Sequence, residues 1–226
     1  MISLATSTER KVAIYRSRAP SYPQEAPYHP QERYPEYPFR SGSSPQNFAY
    51  EAVRESLLLM GLDSENAATA AWNPLTGIVE PGSRVLIKPN LVKHFHDRRK
   101  DFDCLLTHGS VIRAICDYVV IALENRGQIT IADTPLDIAD FDAISRLNGL
   151  GAIVSFIRNN SDIRVELLDL RSERLITNDR LEVREAISLP GDPEGYAIVD
   201  FKESSALHEI DGPATNYYTL GDHSVD

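Results

Sequence analysis

The hydrophobic and polar positions of this chain fall into blocks of different period. Val53, Leu57 and Met60 recur at helical spacing, with Leu58 widening the stripe, and predict a helix over Phe48–Met60. Ser43, Ser44 and Asn47 are candidate caps for it, and Gly61 is its stop. Asn66–Trp72 predicts a short second helix, broken by Trp72-Asn73-Pro74-Leu75. Arg84–Lys88 reads as a strand: Val85, Leu86 and Ile87 run together, the pattern of a parallel strand covered on both faces. The longest helix is expected over Ser110–Arg126, with Ile112, Ile115, Cys116, Val119, Val120 and Leu123 on one face and Gly127 after it. Gln128–Ala132 is the next strand, closed by Asp133-Thr134-Pro135. A helix near Ala139–Asn148 and a strand at Gly151–Phe156 continue the alternation. Val165–Leu170, Leu181–Ser188 and Tyr196–Phe201 show polar alternation and short turns, expected of an antiparallel extension. A short strand is expected at Lys11–Arg16.

Strand, helix and strand in turn make a βαβ unit over Arg84–Ala132, whose crossover is expected to be right-handed. The fold class is therefore α/β: three layers on a mostly parallel sheet, with a strand-rich C-terminal extension. Residues 1–16 form the first strand region, 17–47 a proline- and tyrosine-rich arm, 48–156 the α/β core and 157–226 the extension, read as an incomplete second part. The arm carries Pro20, Pro23, Pro27, Pro30, Pro35, Pro38 and Pro45, interleaved with Tyr22, Tyr28, Tyr34 and Tyr37. Proline fixes φ and removes a donor, so neither helix nor central strand persists there. A functional cover and a mobile insertion are the two readings of such a segment.

Composition narrows the function classes. The 226 residues carry 23 Lys and Arg against 33 Asp and Glu, a formal charge of −10, which repels phosphate backbones and argues against nucleic-acid binding. Two cysteines, Cys104 and Cys116, cannot hold an iron–sulfur cluster, and none is expected. The stretch Val111–Leu123 is interrupted by Arg113 and Asp117 and is too short to span a bilayer. Met1–Lys11 has no apolar signal region, so the expected location is cytoplasmic. Gly-rich dinucleotide, P-loop and nucleophile-elbow motifs are missing from the sequence.

Candidate chemistry gathers at strand ends, because ligands of open parallel sheets bind beyond the carboxyl ends of the strands. If the two central strands are neighbours, Lys88, Asn90, Asp133 and Thr134 share one edge. Thr107, His108 and Ser110 lie where the long helix begins, a place where backbone N–H groups hold anions. Lys88 is assigned to an anion, Asp133 to a metal or to base work, and His108 to proton transfer. Asn90, Thr107, Ser110 and Thr134 are assigned to ligand binding. Each has a structural alternative: an ion pair for Lys88 and Asp133, a turn for Asp133, a backbone cap for His108. His94 and His96 share a face if extended and make a weak metal pair, which Asp97 and Asp101 would extend. A divalent metal is thus the candidate cofactor, though the charged run from His96 to Asp101 also reads as a solvated loop. Expected partners are a small anionic ligand and, as a candidate assembly, a homo-oligomer.

Three stretches together resemble the domain-of-unknown-function 362 family: Val85-Leu86-Ile87-Lys88-Pro89-Asn90-Leu91-Val92, Thr107-His108-Gly109-Ser110-Val111-Ile112-Arg113-Ala114 and Ile129-Thr130-Ile131-Ala132-Asp133-Thr134-Pro135. Tyr34-Pro35-Glu36-Tyr37-Pro38-Phe39 and Trp72-Asn73-Pro74-Leu75 resemble a longer branch found in polysaccharide-biosynthesis clusters. The resemblance covers roughly residues 11–155. It implies a cytoplasmic α/β protein of a family without an established activity; the leading reading of the chain is an enzyme or enzyme fragment acting on a small anionic metabolite or sugar-linked intermediate in surface-polysaccharide biosynthesis. Relatives continue into a second block, so the resemblance also implies that this chain, ending Ser224-Val225-Asp226, is truncated. The alternative reading is a non-catalytic ligand-binding or assembly protein whose Pro/Tyr arm contacts a partner.

Overall fold

The structure is a computed structural model and describes residues 11–17, 21–40, 42–44, 47–96, 104–178, 180, 182–197 and 199–204. Pro20, Pro45, Asp97, Asp101 and the intervening Arg98, Arg99 and Lys100 lie outside the described residues, as does everything beyond Ser204.

A parallel sheet organises the molecule. Its strands β1 (Arg84–Ile87), β2 (Gln128–Asp133) and β3 (Arg164–Asp169) stand in the order β1-β2-β3. The register pairs Ile87 with Ile131 and Asp133 with Asp169. The helices are α1 (Phe48–Leu59), α2 (Gly109–Leu123), α3 (Phe141–Leu147) and α4 (Leu150–Asn160). The sheet face bearing Val85, Ile87, Ile129, Ile131, Val165 and Leu167 packs into one core with Ile112, Val119 and Leu123 of α2 and Ile153 and Ile157 of α4. An antiparallel pair, β4 (Glu173–Thr177) and β5 (Val183–Ser188), follows. The result is a mixed α/β fold on a parallel sheet with a strand-bearing C-terminal portion.

Several elements differ from the sequence reading, each for a physical reason. Gly151–Phe156 is not a strand: it lies inside α4. Gly149, at φ +63°, launches that helix, and Leu150, Ile153, Val154 and Ile157 are its buried face. A mostly apolar six-residue window fits either period, and only its length and packing decide. The third parallel strand is β3, so Val165–Leu170 belongs to the main sheet rather than to an antiparallel extension. Among the described residues β1 is an edge strand, and its alternate residues are exposed, so it is not a strand covered on both faces. Lys11–Arg16 forms no strand, and Val12 and Ile14 remain 82% exposed, since no described segment pairs with it. Among the described residues of 196–201 there is also no strand; the Tyr196 hydroxyl donates to the Leu170 carbonyl at 2.7 Å instead. At Asn66–Trp72 a 3-10 turn over Ser64–Asn66 and further turns replace the expected helix.

The proline–tyrosine arm is a packed layer over the helices. Tyr28, Tyr34, Tyr37 and Phe39 are all buried. The Tyr34 ring stacks on Tyr50 of α1 at 5.8 Å, and the Phe39 ring meets Phe156 of α4 edge-on at 5.0 Å. Backbone that cannot form a ladder is tied down by side chains instead. Asn47 caps α1 by accepting the Tyr50 N–H, while its amide donates to the carbonyls of Tyr28 and His29, both at 2.8 Å. Arg113 of α2 donates to the Pro27 carbonyl at 2.6 Å and to the Tyr37 hydroxyl at 3.0 Å. Its third contact is Asp117, one turn along, at 2.7 Å with both side chains fully buried. Arg54 of α1 pairs with the buried Glu36 at 2.7 Å, and Tyr118 donates to the same carboxylate.

Candidate functional site at the carboxyl ends of the strands

Parallel pairing of β1 and β2 in register brings the end of one strand beside the end of the other. Lys88 follows Ile87, and Asp133 is the last residue of β2. Their side chains meet with Nζ 2.6 Å from Oδ1. The two sides of this pair differ: the Asp133 side chain is 4% exposed and that of Lys88 59%. The second carboxylate oxygen accepts the Leu91 N–H at 2.6 Å. Asp133 thus fixes the turn after Pro89 and holds a cation that also donates to the Pro89 carbonyl at 3.4 Å and stays more than half exposed. A buried carboxylate with two donors is well satisfied, whereas the ammonium retains donor capacity.

The loop leading from Asn90 returns beside itself. The Asn90 N–H donates to the Thr107 hydroxyl at 3.0 Å, the Thr107 N–H donates to the Asn90 carbonyl at 2.8 Å, and Leu91 bridges to Leu106. Lys88, Asn90, Asp133 and Thr107 therefore form one connected rim, with Thr134 exposed beside it. The Thr107 hydroxyl is engaged with backbone within this rim.

His108 and Ser110 form a second, separate group. His108 is the N-cap of α2: its Nδ1 accepts the Ser110 N–H at 3.2 Å and lies 2.9 Å from the Ser110 hydroxyl. Its ring stacks face to face on Tyr22 at 4.4 Å and meets Tyr28 edge-on at 5.2 Å. The Gly109 N–H donates to the Asn148 side-chain oxygen at 2.6 Å, and Val111 and Ile112 donate to the His108 carbonyl. The first amides of α2 thus have partners inside the chain, which differs from the expectation of free N–H groups at this helix start. Gly109 permits this closure: a Cβ there would sit 2.1 Å from the Asn148 carbonyl oxygen.

Asn148 is the residue the sequence reading missed. It is buried, and its amide also donates to the Thr107 carbonyl at 2.8 Å, so it links the rim loop to the helix start. An Asn-Gly pair after a helical pattern signals only a helix stop, and its long-range partners carry no sequence mark.

His94 is placed elsewhere. Its Nδ1 accepts the Asp140 N–H at 3.0 Å, at the start of α3. Burial lowers its pKa, and Arg174 lowers it further against the opposing pull of Asp140. Asp140 itself is held below its ordinary value by the Ala143 N–H it caps and by Arg174. Among the described residues no group of three or more His, Cys, Asp or Glu is placed to hold a metal ion, and Asp97 and Asp101 are outside them. Cys104 is exposed, while Cys116 is buried in the core, where desolvation pushes its thiol pKa far up and leaves it inert. No described helix is long and apolar enough to cross a membrane.

Neither protein-family models nor curated proteins nor solved structures give a match to this chain.

Proposed function

We propose that this protein binds a small anion, a carboxylate or phosphate, at the rim formed by the carboxyl ends of β1 and β2. The observation that carries the reading is the asymmetric Lys88–Asp133 pair, buried on its acidic side and open on its basic side. Asp133 orients the ammonium by taking one oxygen to Lys88 and the other to the Leu91 N–H. Lys88 contacts the anion, and the exposed side chains of Asn90 and Thr134 flank it with hydrogen-bonding groups. The location agrees with the general preference of parallel sheets for ligands beyond their strand ends.

Binding is favoured over acid–base chemistry because His108 Nδ1 is engaged with Ser110 and the ring is clasped by Tyr22 and Tyr28. In this reading His108 shapes the helix start and does not move protons. The resemblance to the domain-of-unknown-function 362 family supports a sugar-linked or metabolite anion from surface-polysaccharide metabolism as the ligand.

Thermal unfolding with inorganic phosphate, short carboxylates and nucleotide sugars tests the proposal. A ligand at about 100 times its Kd stabilises by about 2.7 kcal/mol, an increase of about 5–10 °C in Tm for a chain of this size. Lys88→Met is expected to abolish the shift while retaining the far-UV circular dichroism of the folded protein. The reading fails if none of these anions raises Tm, or if Lys88→Met responds like the parent chain.

A further inference from the structure

Between α1 and α2 lies a cavity of about 650 Å3 that a small anion at Lys88 does not use. α1 gives its large side chains, Tyr50 and Arg54, to its buried side, while Ala52 and Val53 line the cavity. Val111 and Ile115, one turn apart on α2, line it as well, and Phe48 and Tyr22 contribute aromatic rings. The small Ala52 side chain helps to leave this space between the two helices. A volume of this size is that of a small-molecule site. Among the described residues no charged side chain lines it. The Ser56 hydroxyl, also in the lining, donates to the Ala52 carbonyl of its own helix at 2.8 Å, which spends its donor. An ionised group placed among these walls would lose its hydration without a partner, so the matter they take is uncharged and apolar.

The cavity and the rim both border the start of α2. Tyr22 lines the cavity and stacks on His108 at 4.4 Å, and His108 directly follows Thr107 of the rim. Val111 stands four residues beyond Thr107. Resting on the anion reading of the rim, we propose that the ligand is amphiphilic: a phosphate or carboxylate held at Lys88, carrying an alkyl body that lies in the cavity between α1 and α2. The open ammonium supplies the attraction for the head, and removal of the chain from water supplies the rest.

Calorimetric titration of the full chain with inorganic phosphate, butyl phosphate and octyl phosphate, the alkyl compounds kept below micelle formation, reads the two parts separately. Inorganic phosphate reports on the rim alone. Each methylene fully removed from water is worth about fourfold in affinity. Octyl phosphate is therefore expected to bind at least about tenfold more tightly than butyl phosphate. Octanoate against butanoate makes the same comparison for a carboxylate head. Ala52→Leu fills part of the cavity with a residue of nearly equal helix propensity. It is expected to remove the gain from butyl to octyl and to leave the response to inorganic phosphate unchanged. Nuclear Overhauser contacts from the octyl chain to the Tyr22 ring and the Val111 methyls are expected in the parent protein, and they locate the chain without any variant. A gain from butyl to octyl with those contacts, but no response to inorganic phosphate and no effect of Lys88→Met, would fail the rim and leave the cavity assignment standing. The cavity assignment is overturned if octyl phosphate and octanoate bind no more tightly than their butyl counterparts, if a folded Ala52→Leu keeps the gain, if the chain contacts residues away from α1 and α2, or if sedimentation shows a dimer that covers this cavity.

Discussion

Two cation–carboxylate pairs of nearly equal length sit in opposite surroundings in this molecule. Arg113 and Asp117 meet at 2.7 Å inside α2 with both side chains fully buried. Lys88 and Asp133 meet at 2.6 Å at the strand ends with the lysine largely in water. On the helical side, each of the three guanidinium nitrogens donates within the chain: to Asp117, to the Pro27 carbonyl and to the Tyr37 hydroxyl. Its guanidinium also lies over the Phe156 ring at 4.1 Å. That pair fastens the arm to the helices, and with both side chains fully buried it is closed to a ligand. At the strand ends only the carboxylate is saturated, and the ammonium remains accessible. Contact distance is nearly the same in both pairs; what differs is the burial of each partner, which seals Arg113 and leaves Lys88 open.

The largest expected effect falls on the buried pair. Arg113→Ala leaves Asp117 as an uncompensated buried carboxylate and cuts the arm loose from α2. We expect a loss of about 3–5 kcal/mol, measured as a fall in the urea midpoint of unfolding. Arg113→Ala together with Asp117→Ala is expected to recover part of that loss, because the stranded charge is gone. If Arg113→Ala costs no more than Lys88→Met, the contrast between the two regions collapses.

Asn47→Ala comes next. It removes the α1 cap and both donations to the arm carbonyls of Tyr28 and His29. A cap alone is worth about 1 kcal/mol, with up to about 2 at the high end, and the two lost donations place this variant at the upper end of that span. Hydrogen exchange is expected to show the arm amides opening before those of β2. Equal protection of arm and sheet would show that the arm is held by its rings alone.

The smallest effect is a pH dependence of the arm. His29 has its pKa lowered, first by burial and then by the nearby Arg113, and its Nδ1 is buried with no hydrogen-bond partner among the described residues. A histidine with a folded-state pKa below 6.5 binds its proton less readily when folded. Its contribution is therefore complete above pH 6.5 and is lost as the pH falls below that value, because the unfolded chain protonates first. His94 acts with the same sign at the other side of the molecule. We expect the urea midpoint to decline between pH 7 and pH 5, and His29→Gln to reduce that slope without abolishing it. An unchanged slope in His29→Gln would assign the whole dependence to groups off the arm.

Much of the core was legible in the chain. The 3.6-residue stripe from Ile112 to Leu123 specified α2, and the apolar runs ending at Lys88 and Asp133 specified two parallel strands. Those same strand ends were enough to name the residues of the rim. The stretch Gly151–Phe156 was misread because a six-residue window with four apolar side chains contains too little periodicity to separate a helix from a strand. His108 offered both a cap and a proton carrier in the sequence; the structure shows the cap, with Ser110 on its Nδ1 and Tyr22 and Tyr28 against its ring.

The sequence by itself determined the α/β alternation and where its polar strand ends would fall, because periodicity and turn chemistry are local properties. Tertiary structure alone decided that the arm is a packed layer, that Asn148 joins the rim to α2 and that Lys88 stays open while Arg113 is sealed. Those outcomes depend on which surfaces cover one another, and residues as far apart as Pro27 and Arg113 leave no local pattern that records their contact.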